Sequence, residues 1–282
     1  MTSRILRLVV SLTLAALSVA QAAQTDAVVT SFLARARVAT EKYKDQRVAI
    51  ADGYRAMGPE APAMGQHWVQ PSLLVAARVD VDHPPILEYV TVRGRPVLAG
   101  VGYALPLGAG EFPPDSPAAR SAWHSHEGGL EEEGGRFEHE HIEADHERER
   151  VEVLHAWIWV ENPAGPFAPV NWALPFVRAG LEPGVALSAS AKALSLDDGG
   201  VEFWAAGLRR ALDPDARSAE AVHRVLEHYA DTVAAWRAHF DGTRVRSSDA
   251  AWLAAVWERV RGAVIATLNQ PARERASMLS GF

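Results

Sequence analysis

The run Val151-Glu152-Val153-Leu154-His155-Ala156-Trp157-Ile158-Trp159-Val160 is apolar on both of its alternating sides and carries a histidine in the middle. Successive side chains of a strand point to opposite faces. Val151, Val153, His155, Trp157 and Trp159 are therefore expected on one face, and Leu154, Ala156, Ile158 and Val160 on the other. A strand that is apolar on both sides belongs inside a sheet covered on both faces. Asn162-Pro163 ends it.

Its partners lie upstream. Residues 85–107, PILEYVTVRGRPVLAGVGYALPL, read as two strands joined around Gly94, and Gly100 and Gly102 mark a bulge or a close backbone approach in the second. Before them, Val29, Phe32, Leu33, Ala36, Thr40 and Tyr43 recur at three- and four-residue steps, which predicts a helix from Thr25 to Asp52, where Asp52-Gly53 breaks it. The Gly- and Pro-rich MGPEAPAMGQHWVQP, with His67 and Trp68, reads as a loop.

Beyond Gly184 the pattern becomes helical. A short helix is expected around Val201–Leu212. Two apolar stripes follow, Val222 to Phe240 and Trp252 to Leu268, linked by DGTRVRSSD, where Gly242 stops one helix and Ser247 or Ser248 caps the next. The expected fold class is α+β: a mostly antiparallel sheet with an N-terminal helix and a helical C-terminal region. The expected division is a leader over 1–22, an α+β domain over 23–183 and the helical region over 184–282.

The leader is read from MTSRILRLVVSLTLAALSVAQAAQ: two arginines, an apolar run and an Ala-Gln-Ala site, the three parts of a secretory signal. A periplasmic or secreted protein is expected, with no membrane span after processing. Removing Arg4 and Arg7 makes the formal net charge of −7 two units more negative, which argues against a nucleic-acid partner. The chain has no cysteine, so thiolate metal sites and cysteine nucleophiles are excluded.

Between Glu127 and Glu149 only Leu130, Phe137 and Ile142 are large and apolar. The segment reads as a solvated acidic loop, in which His139, His141 and His146 would collect metal loosely. Deleting 127–148 is expected to leave the fold intact, because the loop contributes little core and loop length costs little entropy. The melting temperature should move by only a few degrees, as about 1 kcal/mol would move it. Loss of cooperative unfolding in a thermal scan would show the reverse.

Three stretches carry a resemblance: Asp52-Gly53-Tyr54, then MGQHWVQP, then LHAWIWVENPAGPFAPVN. Over residues 36–171 the chain resembles a family of uncharacterised secreted bacterial proteins that share these motifs. The family has no assigned activity, so the resemblance implies a shared site and not a named reaction. Its members carry an acid in a V-E-Y context where this chain has Gly102. Glu88, on the partner strand, is expected to replace that acid across the ladder. The resemblance also implies that the acidic insertion and the C-terminal helices are additions of this chain.

His155, on a Trp-bearing strand face, and His67, in the other specific motif, are expected to converge on one site. His124 and His126 form an H-x-H pair whose side chains share one side of an extended segment, and with Glu88 they complete the expected metal ligands. Zn²⁺ or another divalent transition metal is the expected cofactor, with a metal-dependent hydrolase or oxygenase as one alternative. The other is a small apolar or aromatic ligand held against Trp68, Trp157, Trp159 and Trp172, with the histidines as hydrogen-bond donors.

Overall fold

A computed structural model of the chain describes residues 26–76, 78–108, 110–114, 117–126, 150–182 and 188–278, without the side chains of Ser125, His126, Arg150 and Asp198. The leader and the acidic segment over 127–149 lie outside the described residues, as do His139, His141 and His146.

The fold is α+β, as expected. Helix α1 covers 26–40, and a 3-10 turn over Glu41–Lys44 separates it from α2, Gln46–Ala51. The continuous helix expected to Asp52 is therefore divided. Asp45 explains the break: it is extended, and its carboxylate accepts from Arg47 N at 3.0 Å, so the chain restarts a helix there. The sheet follows: β1 Arg55–Ala61, β2 Gly65–Val69, β3 Ile86–Val92, β4 Arg95–Leu107, β5 His124–His126 and β6 Arg150–Ala156. A short helix α3, Pro71–Leu74, lies between β2 and β3. The sheet order is β1-β2-β3-β4-β6-β5, with every pair antiparallel.

The stretch expected as a loop is mostly the β1–β2 hairpin. Its glycines and prolines suggested loop, but β1 is an edge strand with an irregular register between Met57 and Ala61, where Pro59 is tolerated. Gly65 has φ 72°, and a Cβ there would lie 2.5 Å from Tyr89 O, so this position needs glycine twice over.

One sheet face packs against α1 and α2 through Ala36, Tyr43, Tyr54, Leu87, Tyr89, Val101, Tyr103, Leu154 and Ala156. The three deepest tyrosines donate to carbonyls: Tyr54 to Pro84 O at 2.7 Å, Tyr89 to Tyr43 O at 2.5 Å and Tyr103 to Val81 O at 3.2 Å. Burial pushes all three phenols above their ordinary pKa, so they remain neutral donors. The other face carries Val69, Ile86, Ala104 and Val153, then Val90, Ala99 and Trp157.

Between β3 and β4 the register slips by one residue. Tyr89 pairs with Leu98, but Glu88 pairs with Gly100, so Ala99 is extra. Its carbonyl is used: Trp159 N and Val160 N both donate to it at 3.0 Å.

The helical region comprises α4 Leu174–Arg178, α5 Ser188–Leu194, a π-helical turn Leu196–Gly200, α6 Val201–Leu212, α7 Ala216–His239, α8 Ser247–Thr267 and α9 Gln270–Met278. It has its own core, including Leu226, Val233, Leu253, Val256, Trp257 and Val260. The cap of α8 is Arg246, one residue before the expected serines; Asp249 in the first turn accepts from Arg246 N at 3.2 Å. No helix of the described residues is long and apolar enough to cross a membrane.

Candidate metal centre

His67, Glu88 and His155 stand on β2, β3 and β6, and register brings them into one row. His67 pairs with Glu88, Glu88 with Gly100, and Gly102 with His155. Residues opposite each other in a ladder share a face, as do residues two apart, so these side chains rise from the same side of the sheet. One atom of each lies within 4.8 Å of one atom of both others. Their exposures are 2%, 0% and 0%. Burial of two imidazoles and a carboxylate together is costly unless they bind one another or a cation.

The two glycines make the row possible. A Cβ on Gly100 would lie 2.4 Å from Glu88 Oε2, and one on Gly102 would lie 3.4 Å from Glu88 Oε1. The carboxylate fills the volume that β4 leaves empty. His155 Nδ1 stands 2.8 Å from Glu88 Oε1, a close contact between an imidazole nitrogen and a carboxylate oxygen. The rings of His67 and His155 are 5.6 Å apart between centres. His67 was expected from a loop; it comes instead from a strand, which holds its position more firmly.

His124 joins from β5. It pairs with Val153, two residues before His155, and its ring centre lies 4.9 Å from that of His155. Its Nδ1 is buried, as are His67 Nε2 and both nitrogens of His155. The side chain of His126 lies outside the described residues. Glu111 is exposed on the β4–β5 connection and accepts from Gly108 N at 2.8 Å.

The tryptophans separate. Trp157 stacks on His155 with centres 5.5 Å apart and planes at 28°. The expected alternation ends with it, because β6 stops at Ala156. Trp159 turns to the opposite, helix-covered face, where its Nε1 donates to Thr40 Oγ1 at 3.2 Å, and Val160 takes the side expected for Trp159. Trp68 also packs on that far face, edge-on to Tyr89. Trp172 belongs to the helical core, with Lys192 Nζ 5.5 Å from its ring centre. Only one of the four expected aromatic contacts therefore touches the centre.

The NPAGPFAPVN motif supports Trp157. Trp157 N donates to Pro166 O at 2.9 Å and its Nε1 to Ala168 O at 2.7 Å, which folds the loop back over the ring. Buried Asn162 and Asn171 hold that loop: Asn162 Nδ2 donates to Val170 O at 2.9 Å, and Asn171 Nδ2 to Val160 O at 3.2 Å. Asn171 N also donates to Ala63 O at 2.7 Å, tying the loop to the β1–β2 turn. The motif was singled out from sequence, but the way these asparagines steady the ring against His155 was not.

No family model, no curated protein and no solved structure matches this chain. The centre must be read from its own geometry.

Proposed function

We propose that the protein binds a divalent transition metal at the buried His67, Glu88 and His155 group, working in the periplasm or outside the cell, where its leader would take it. One observation carries the reading: ligand atoms from three strands, 21 and 67 positions apart in sequence, come within 4.8 Å of one another in a buried place. Sheet faces are stabilised more simply by apolar side chains, and a cation would repay the desolvation of these three. Imidazole nitrogen with carboxylate oxygen suits Zn²⁺ and its neighbours in the first transition row. A small apolar ligand finds less support, because Trp68, Trp159 and Trp172 do not gather around the histidines.

Elemental analysis of the untagged, processed protein tests the proposal. About one transition-metal ion per chain is expected, as for a single mononuclear site. Metal-free protein that also fails to take up Zn²⁺ in a titration would overturn it.

A further inference from the structure

We propose that the cavity between the β3–β4 turn and helices α4, α5 and α7 is a second binding site, for a small molecule carrying a carboxylate or phosphate group, held by Arg93 and Arg237. The proposal goes beyond the metal reading and does not depend on it, since none of the three buried metal-centre residues lines this cavity.

The cavity has a volume of about 360 Å³, the size of a pocket for a small organic ligand. Three arginines line it: Arg93 from the β3–β4 turn, Arg178 from the end of α4 and Arg237 from α7. Arg178 already faces a carboxylate, with its Nε 3.3 Å from Glu60 Oε1. The other two differ. Among the described residues Arg237 donates only to backbone carbonyls, Nη2 to Ala179 O at 2.8 Å and Nη1 to Phe240 O at 3.4 Å. Arg93 makes no hydrogen bond or ion pair among the described residues. Its guanidinium lies against the backbone of Gly180, where an added Cβ would be 3.1 Å from Nη2.

Ala179 and Gly180 are consecutive, so two guanidinium groups without a carboxylate partner are gathered at one stretch of backbone. Like charges held together repel, and an anion between them relieves that repulsion. Guanidinium groups present their N–H donors in a planar fork that matches the oxygens of carboxylate and phosphate. Asp197 is the one carboxylate in the lining. With Glu60 it makes two acids against three arginines, a local positive surplus in a chain whose formal net charge is −7.

The backbone supplies an independent sign. Arg93 has φ 51°, in the left-handed region, where a hairpin turn favours Asn, Asp or Gly and a long side chain is uncommon. A turn built for stability alone would carry asparagine there. Arginine accepts a backbone cost and places a cation on the cavity wall.

Inorganic phosphate and citrate are titrated calorimetrically into the processed chain and into Arg93→Asn and Arg237→Gln. Saturable binding of at least one anion is expected, with a dissociation constant below about 1 mM. The tighter of the two tells a phosphate ligand from a carboxylate one. Arg93→Asn suits the backbone of the turn, so its melting temperature should equal or exceed that of the parent. Its anion affinity should nevertheless fall at least about tenfold, as loss of a hydrogen bond to a charged group would produce. Arg237→Gln should weaken binding to a similar degree, and metal content should match the parent's in both variants. Binding of neither anion below about 1 mM would overturn the proposal, as would unchanged affinity in Arg93→Asn, and both results leave the metal-binding reading standing. Loss of metal together with anion binding would also overturn it, because the anion would then have been held by the ion.

Discussion

Gly100→Val is expected to cost the protein about 3 kcal/mol or more and to disable the metal centre in the same stroke. The smallest side chain there already meets Glu88 Oε2 at 2.4 Å, with Ala156 O and Trp157 Cε3 both at 3.0 Å. Two of these three neighbours are a strand carbonyl and a ring whose Nε1 is held by Ala168 O while its backbone N–H is held by Pro166 O, so neither yields cheaply. Overpacking a tight interior costs roughly 1–3 kcal/mol and sometimes more. Valine adds two methyl groups and displaces a carboxylate that is 0% exposed. A fall in Tm of roughly 6–12 °C follows from about 3 kcal/mol in a domain of this size. Gly94→Ala is the control: φ there is 73° but nothing lies within 4 Å of the added Cβ, so only the roughly 1–2 kcal/mol of left-handed strain applies. Equal melting temperatures for the two variants would show that β4 does not need its bare surface at 100.

His155→Ala carries the other large effect, and it should appear in two measurements. In metal binding, His155→Ala and His67→Ala should each weaken affinity about 1000-fold, near 4 kcal/mol at 1.4 kcal/mol per tenfold. The double variant should lose far less than the sum, because groups within one site are not independent. The two ring centres are 5.6 Å apart, inside the range where such coupling is expected. In stability, metal-free His155→Ala leaves the Glu88 carboxylate buried without the imidazole 2.8 Å away. Removing one partner of a buried pair costs about 3–5 kcal/mol. His67→Ala leaves the Glu88–His155 contact in place and should cost less in urea unfolding of the metal-free chain. Strictly additive losses in affinity would mean that the two histidines belong to different sites.

The legible parts of this fold were those where one period dominated. The alternation of Val151 to Ala156 located an interior strand, and the stripes from Val222 and Trp252 located the long helices. Pairing around Gly94 was visible because Arg93 and Gly94, both at positive φ, join two β-rich runs. The β1–β2 hairpin was obscured, since glycine and proline signal a loop by composition, whereas an edge strand admits both. The path of the chain after Trp157 was also hidden: Trp159 changes face because the 162–171 loop folds back, and local alternation carries no information about that. His67 and His155 were singled out because two specific motifs each held a histidine, and Glu88 because it lies on the strand beside Gly102, where the family that the chain resembles carries an acid. The assembly of three strands into one row depends on register, which a single sequence does not display.

The extra residue at Ala99 gives this site an unusual weakness. A strand has two sides, and which side a residue takes depends on whether its distance from a fixed point is odd or even. From Leu98, whose side chain faces α1, an uninterrupted strand would send Val101 and Tyr103 toward the carboxylate and bury Gly100 and Gly102 against the tyrosines. The bulge adds one step and reverses that parity. Changing Ala99 to another small residue leaves the count unchanged. Pairing Ala99 as an ordinary residue of the ladder would turn over the rest of β4 and put Val101 and Tyr103 on the face of Glu88 and His155, with every residue of the centre still present. Deleting it, by contrast, would leave a regular strand with Gly100 still opposite Glu88. The chemistry of this centre therefore depends on a count as much as on a composition, and the chain could keep every ligand yet lose the site by pairing one residue out of step.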